Sequence, residues 1–287
     1  MFEHTHILCR ACPHSLLDAL AKEVPEHPIS LSQAVQEHAH MVQLLTGLVE
    51  LGNFLEIPAD EGCPDCVFIE DTALLVKLAG GGTAAVMTRP GADSRKPELG
   101  PVQEALQLQG FQAGSPNRPL YVLQAPATLD GGDVMYAGPA HGLWVGLSTR
   151  TNAAAVEQLK EILGPACPVH ALQMEEGKAL HLKSLVTMIA VNTALVADTA
   201  QGRALWALAK ASPGAAEGLQ CLMVPDMLCS NVVRIGQTVL FQAGYPESEA
   251  VVRQFCEARG LQLVCVSMAE FAKADGALTC CSLLWSF

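Results

Sequence analysis

The sequence predicts an α/β protein built as a closed ring of five similar units. Three observations carry this. One order of elements recurs along the chain: a short apolar strand, a second strand with polar residues in it, a return strand and a helix. The last round breaks off after its second strand. The chain also begins with an orphan strand and a helix, the two parts that the last round lacks. A repeat at such a period outranks local fold signals, and joining tail to head protects sheet edges that an open stack exposes. The expectation is a single domain over residues 1–287, with five-fold pseudosymmetry and with the N-terminal strand and helix completing the last unit.

The elements follow in order. Residues 6–12 read as a short buried strand stopped by Pro13, and a polar stretch through Pro25 and Pro28 comes next. Leu31, Ala34, Val35, Val42, Leu45, Leu48 and Val49 then share one face at helical spacing, with Gly52 as the stop. Residues 54–57 alternate as a strand, and residues 67–76 form a second strand with Glu70 and Asp71 in its middle. Gly80-Gly81-Gly82 tips a hairpin, residues 83–88 return, and a helix covers 97–108. The second round has strands at 121–124, 128–136 and 143–147 and a helix at 152–163. The third has 169–172, 180–189, 194–197 and the helix 204–211. The fourth has 221–224, 227–235, 238–242 and the helix 247–258. The fifth has 261–266 and the strand around Cys280.

The second strands carry the chemistry. At equivalent places they hold Glu70-Asp71, Asp130, His181, Cys229-Ser230-Asn231 and Cys280. In a pseudosymmetric ring these places converge on the central axis, so acids, an imidazole and a thiol meet there. That is a nucleophile, a base and a carboxylate to orient it. Neighbouring side chains of a strand face opposite ways, so one of Cys280 and Cys281 faces the site and the other packs into a core. Mid-strand carboxylates such as Glu70 and Asp71 are rarely buried without partners. Arg95 and Arg150 follow return strands at like positions, with Arg10 a third, which points to the rim of a central cavity.

Composition narrows the function. The chain is 50% hydrophobic and 16% charged, with a mean hydropathy of +0.28, so much of it must be buried. A net charge of −12 argues against nucleic acid or an anionic membrane as the partner and suits a small cation. No signal-like segment opens the chain and no apolar run is long enough to span a bilayer. Eleven cysteines without a signal segment point to free thiols in a cytosolic protein. Cys9-x-x-Cys12 and Cys63-x-x-Cys66 have metal-ligand spacing, but they lie far apart in the chain and beside apolar strands, so they read as core thiols. His4, His6, His38 and His40 read as surface or helix-face residues. No phosphate-binding glycine loop is present, so no nucleotide cofactor is expected.

Phe68-Ile69-Glu70-Asp71, Thr88-Arg89-Pro90-Gly91-Ala92-Asp93-Ser94-Arg95, Thr128-Leu129-Asp130-Gly131-Gly132-Asp133, Leu180-His181-Leu182-Lys183-Ser184 and Leu278-Thr279-Cys280-Cys281-Ser282 together resemble the dimethylarginine dimethylaminohydrolase family of guanidine-modifying enzymes. Each motif is weak alone; the ordered set spans nearly the whole chain. The resemblance implies a closed five-bladed α/β propeller. It also implies hydrolysis of Nω,Nω-dimethyl-L-arginine and Nω-monomethyl-L-arginine to citrulline and an amine, through a covalent thiouronium on the cysteine. Cys280 would be the nucleophile, His181 the general acid and base, and Asp130 the orienting carboxylate. Asp65, Glu70 and Asp71 would face the guanidinium, Arg95 and Arg150 would hold the substrate carboxylate, and Leu20 would belong to a covering lid. No cofactor is implied, and a soft metal such as zinc captured at Cys280 would inhibit. The partner is a small cationic amino acid, met by a monomer or homodimer. Some relatives carry Glu where this chain has Asp130, and residues 114–119 read as an insertion. The carboxylates raise the Cys280 pKa and a cationic substrate lowers it, so the thiolate is expected to form on substrate binding. The rival readings are an arginine deiminase-like hydrolase on the same fold and a silent propeller acting as a binding or regulatory module.

Overall fold

A hairpin, a helix and a parallel strand make the unit that recurs in the computed structural model, which describes residues 1–78, 80–175 and 179–287. The chain opens with β1 (His6–Arg10), α1 (Leu31–Thr46) and β2 (Phe54–Ile57). Then come β3 (Ala73–Lys77), β4 (Thr83–Met87), α2 (Leu99–Leu108) and β5 (Leu120–Val122). The next group is β6 (Val134–Tyr136), β7 (Leu143–Leu147), α3 (Ala153–Leu163) and β8 (Val169–Gln173). It is followed by β9 (Val186–Ala190), β10 (Thr193–Ala197), α4 (Ala200–Ala211) and β11 (Gln220–Val224). The last are β12 (Val233–Ile235), β13 (Thr238–Gln242), α5 (Pro246–Glu257), β14 (Gln262–Val266), α6 (Ala269–Ala272) and β15 (Leu283–Trp285).

These strands form five three-stranded sheets: β3-β4-β5, β6-β7-β8, β9-β10-β11, β12-β13-β14 and β15-β1-β2. In each, the first two strands are antiparallel and the third runs parallel to the middle one. A parallel neighbour needs a long crossover, and the helix supplies it. The strand read from the sequence as opening each round is therefore the third strand of the preceding sheet. The two chain ends meet in the fifth sheet, where Ile7 pairs with Leu284 and Leu8 with Leu283.

The structure corrects the second strands. Glu70-Asp71 and Cys280 lie within short 3₁₀ turns, and Asp130 and His181 immediately precede them. The turns are Ile69–Thr72, Gly131–Asp133, Leu182–Ser184, Met227–Ser230 and Thr279–Cys281. They lead into β3, β6, β9, β12 and β15 respectively. A 3₁₀ turn rotates about 120° per residue, so consecutive side chains fan out around the axis rather than alternate across a sheet. Successive turns touch one another from Thr279–Cys281 through Ile69–Thr72, Gly131–Asp133 and Leu182–Ser184 to Met227–Ser230. Asn231 and Thr279 join the two ends of this series, with the Asn231 amide donating to the Thr279 hydroxyl and the Thr279 N–H donating back, both at 3.0 Å.

Helix α1 turns a different face inward from the one expected. Ala34, His38, Met41 and Leu45 are buried, while Val35 is 41% exposed. An all-apolar reading leaves out His38, yet its ring packs near Phe271, and burial pulls its pKa down to about 4. Helix α4 starts at Ala200, earlier than expected, because the Thr199 side chain caps it by accepting from the Gly202 N–H. Residues 114–119, read as an insertion, brace the first hairpin: the Asn117 carbonyl accepts from the Thr83 N–H at 2.9 Å. A Cβ on Gly82 would meet that carbonyl oxygen at 2.2 Å. Among the described residues, no helix is long and apolar enough to cross a membrane.

Asn152 ties a helix start to the neighbouring loop. Its Oδ1 accepts from the N–H groups of Ala155 and Thr128, and its Nδ2 donates to the Pro126 carbonyl. Asn152→Ala is expected to cost about 1–2 kcal/mol in urea unfolding, with Asn152→Asp recovering part of that loss.

Candidate active site

The turns present their polar residues to a small pocket. Cys280, His181, Asp130, Asp71, Asp65, Arg95, Arg150 and Leu20 all line it, together with Phe68 and Leu180. The free space is about 20 Å³, enough for one water. Leu20 is 39% exposed, and its N–H donates to Asp65 Oδ1 at 3.0 Å. Two residues on, the Lys22 N–H donates to Asp275 Oδ2 at 2.6 Å. The loop after β1 is thus held beside the pocket by backbone bonds to two carboxylates.

Cys280 sits in the middle of the last turn, half-buried, while Cys281 beside it is fully buried among Ile7, Cys9 and Met41. One thiol facing the site and one in the core is the expected division, reached through a turn. His181 Nε2 lies 3.1 Å from Asp130 Oδ2, and Asp130 Oδ1 accepts from the Gly91 N–H at 2.9 Å. Asp71 Oδ1 accepts from the Gly132 N–H at 2.8 Å, and its Oδ2 pairs with Arg95 Nη1 at 2.5 Å. Gly132 cannot carry a side chain here, because a Cβ would stand 2.6 Å from His181 Nδ1. Asp71, Asp130 and His181 place donor atoms within 4.8 Å of one another, a spacing that also suits a metal ion. The four carboxylate oxygens are already engaged by Arg95, Gly132, Gly91 and His181, so the three residues form a charge cluster.

The charges set the protonation states. Burial alone would lower the His181 pKa, but Asp71, Asp130 and Asp133 outweigh it and raise it to about 9. Burial likewise acts to raise Asp71, yet His181, Arg95 and the Gly132 N–H bring it down to about 2. Burial, then Glu70 and Asp71, push the Cys280 thiol well above its ordinary value. The protein without ligand therefore holds a neutral thiol, an imidazolium and an ionised Asp71 at neutral pH.

Three sequence expectations change. Glu70 does not line this pocket; its carboxylate turns to Lys183 Nζ at 2.5 Å and to the Thr279 hydroxyl at 2.8 Å. Adjacent residues of a 3₁₀ turn diverge, so Asp71 faces the pocket and Glu70 does not. Arg95 is 4% exposed and its guanidinium is committed to Asp71, Glu98 and the Asp65 and Phe68 carbonyls. It lines the pocket while bracing Asp71. Arg10 is buried on the Pro58 and Glu98 carbonyls, away from the pocket. Arg150 remains part-exposed, with Nη1 4.0 Å from Asp130 Oδ2. Sequence reasoning gave no role to Asp133, which accepts from the Leu182 N–H at 3.0 Å and the Ser148 hydroxyl at 2.6 Å. It also gave none to Lys183 or Thr279, although both lie inside motifs it singled out.

No protein-family profile matches the chain. An N(G),N(G)-dimethylarginine dimethylaminohydrolase of Streptomyces coelicolor is 33% identical over 231 residues, covering 80% of this chain and 78% of the relative. The enzyme of that name from Pseudomonas aeruginosa is 29% identical over 283 residues, covering 97% and 98%. A crystal structure of a dimethylarginine dimethylaminohydrolase variant in adduct with S-methyl-L-thiocitrulline superposes with a TM-score of 0.81 at 26% identity, covering 98% of this chain and 100% of the other.

The raised His181 pKa is a statement about stability. A group raised from 6.5 to about 9 stabilises the fold fully below pH 6.5, and that stabilisation is lost as pH rises through 9. Unfolding free energy is expected to fall by ~3 kcal/mol between those limits. His181→Gln is expected to flatten that part of the profile in denaturant titrations at stepped pH.

Proposed function

The chain belongs to the dimethylarginine dimethylaminohydrolase family, and from that premise we propose that it hydrolyses Nω,Nω-dimethyl-L-arginine and Nω-monomethyl-L-arginine to L-citrulline, releasing dimethylamine or methylamine. The observation that carries the reading is the pocket itself. It joins the Cys280 thiol, the His181–Asp130 pair and the carboxylates of Asp65 and Asp71 beneath Leu20. The five sheets, their touching turns and the pairing of the two chain ends support a closed five-bladed propeller acting as one domain over residues 1–287.

The reaction follows from the charges. The planar cation of the substrate lies against Asp71, which Arg95 keeps oriented and ionised, and against Asp65. Arg150, part-exposed in the pocket beside Asp130, takes the substrate's carboxylate. Binding a positive charge beside Cys280 counters the field of Glu70 and Asp71, so the thiol gives up its proton to solvent once substrate is bound. The thiolate attacks the central guanidinium carbon and a tetrahedral adduct forms. The His181 imidazolium donates a proton to the methylated nitrogen, and the C–N bond breaks with loss of the amine. The product is a thiouronium on Cys280. Neutral His181 then takes a proton from water, which adds to the same carbon. Collapse breaks the C–S bond as the adduct's hydroxyl proton passes to the departing sulfur, releasing citrulline and restoring the neutral thiol. Asp130 holds the imidazole in place through both steps. A soft metal caught by the Cys280 thiolate would block this cycle.

The test is citrulline release from dimethylarginine, monomethylarginine and arginine, with Cys280→Ser as control. Release from the methylated substrates, lowered by more than about 10³-fold in the variant, is the expected outcome. Release mainly from arginine would replace the reading with a deiminase. No release by folded, reduced, metal-free protein would leave a binding module.

A further inference from the structure

Thr279 and Cys280 are consecutive, yet they face different spaces. Cys280 lines the catalytic pocket, whereas Thr279, Glu70 and Lys183 line a separate cavity of about 220 Å³. At that boundary four polar residues close a hydrogen-bonded ring. Lys183 Nζ donates to Glu70 Oε1 at 2.5 Å, and the Thr279 hydroxyl donates to Glu70 Oε2 at 2.8 Å. Asn231 Nδ2 donates to the Thr279 hydroxyl oxygen at 3.0 Å and to the Lys183 carbonyl at 3.1 Å. Asn231 Oδ1 accepts from the Thr279 backbone N–H at 3.0 Å. Glu70 is 8% exposed and Asn231 2%.

Each member comes from a different sheet. Glu70 stands before β3, Lys183 before β9, Asn231 before β12 and Thr279 before β15. A buried ion pair of this kind contributes little net stability, since desolvation consumes most of the attraction. What such a ring supplies is fixed geometry. Thr279 is held at its N–H and at its hydroxyl, and the next residue is the nucleophile. Cys280's own backbone N–H reaches only the Ala277 carbonyl, 3.1 Å away within the same turn. The bonds to Asn231 and Glu70 tie that turn to other sheets.

Resting on the reading that Cys280 is the nucleophile, we propose that Glu70, Lys183, Asn231 and Thr279 are positioning residues that fix the last turn and aim the Cys280 sulfur at the bound guanidinium carbon. The reassignment of Glu70 from substrate binding to this ring is part of the inference. Lys183 has a second effect, because its charge offsets that of Glu70 beside the thiol. The ring transmits no substrate contact, so its loss acts on the chemical step rather than on binding.

Thr279→Val keeps the shape of the side chain and removes the hydroxyl, leaving Glu70 Oε2 and Asn231 Nδ2 each short of a partner. Thr279→Ser keeps the hydroxyl. Two readouts are needed: kcat and KM for citrulline release, and the rate of Cys280 alkylation by chloroacetamidine, located by mass spectrometry. A displacement of about 1 Å costs up to ~10²-fold. T279V is therefore expected to lose ~10–100-fold in kcat and in alkylation rate with KM within about 2-fold, and T279S to stay within about 3-fold of the parent. A folded T279V with unchanged kcat and alkylation overturns the proposal. So does a loss confined to KM, or a T279S that falls as far as T279V. If T279V does not fold, Asn231→Asp removes both amide donations and is read the same way; failure of both to fold assigns the ring to stability and ends the proposal. A parent protein that alkylates at Cys280 but releases no citrulline removes the proposed function alone, and the alkylation ratios still decide this inference.

Discussion

Pairing of buried charge governs the centre of this molecule. Asp71, Asp130, Asp133, Glu98, Arg95 and His181 are all buried. An isolated ion in that setting would cost several kcal/mol. Each is instead held by an opposite charge or by N–H groups. Arg95 links Asp71 to Glu98, Asp130 links His181 to the Gly91 backbone, and Asp133 links the Leu182 backbone to Ser148. Two of these links, His181 to Asp130 and the Leu182 N–H to Asp133, join the turn before β6 to the turn before β9, and the Gly91 N–H joins Asp130 to the segment after β4. The same bonds that satisfy the charges therefore tie together the sheets led by β3, β6 and β9.

The balance left over is chemically useful. Carboxylates raise the imidazole, so it carries a charge at neutral pH. Burial and the carboxylates also raise the thiol, so it is protonated in the resting site. Glu70 and Asp71 divide their contacts although they are neighbours: one bonds to Lys183 and Thr279, and the other lines the pocket.

The short 3₁₀ turns make that division workable. A strand offers its axis every second side chain; a turn offers successive ones in different directions. Five such turns bring polar residues from the whole chain into one small volume without breaking the sheets that carry them. Gly131 and Gly132 mark how closely they approach, since a Cβ on Gly131 would stand 2.0 Å from the Glu70 carbonyl oxygen.

The repeat, the order of elements and the union of the two chain ends in one sheet were legible in the sequence, because hydrophobic alternation and turn residues act over a few positions. The residues that share the pocket were legible from their equivalent places in the repeat and from the family resemblance. What the chain could not display was direction. Whether Glu70 or Asp71 faces the pocket depends on a turn in place of a strand. Whether Arg95 is free depends on Glu98 and Asp71 lying against it, and whether His38 is buried depends on Phe271, more than two hundred residues away in the chain. Local pattern determines which residues lie in the turns that lead the sheets. Only tertiary structure decides where each side chain points once it is there, because the partners that hold it are brought to it by the fold.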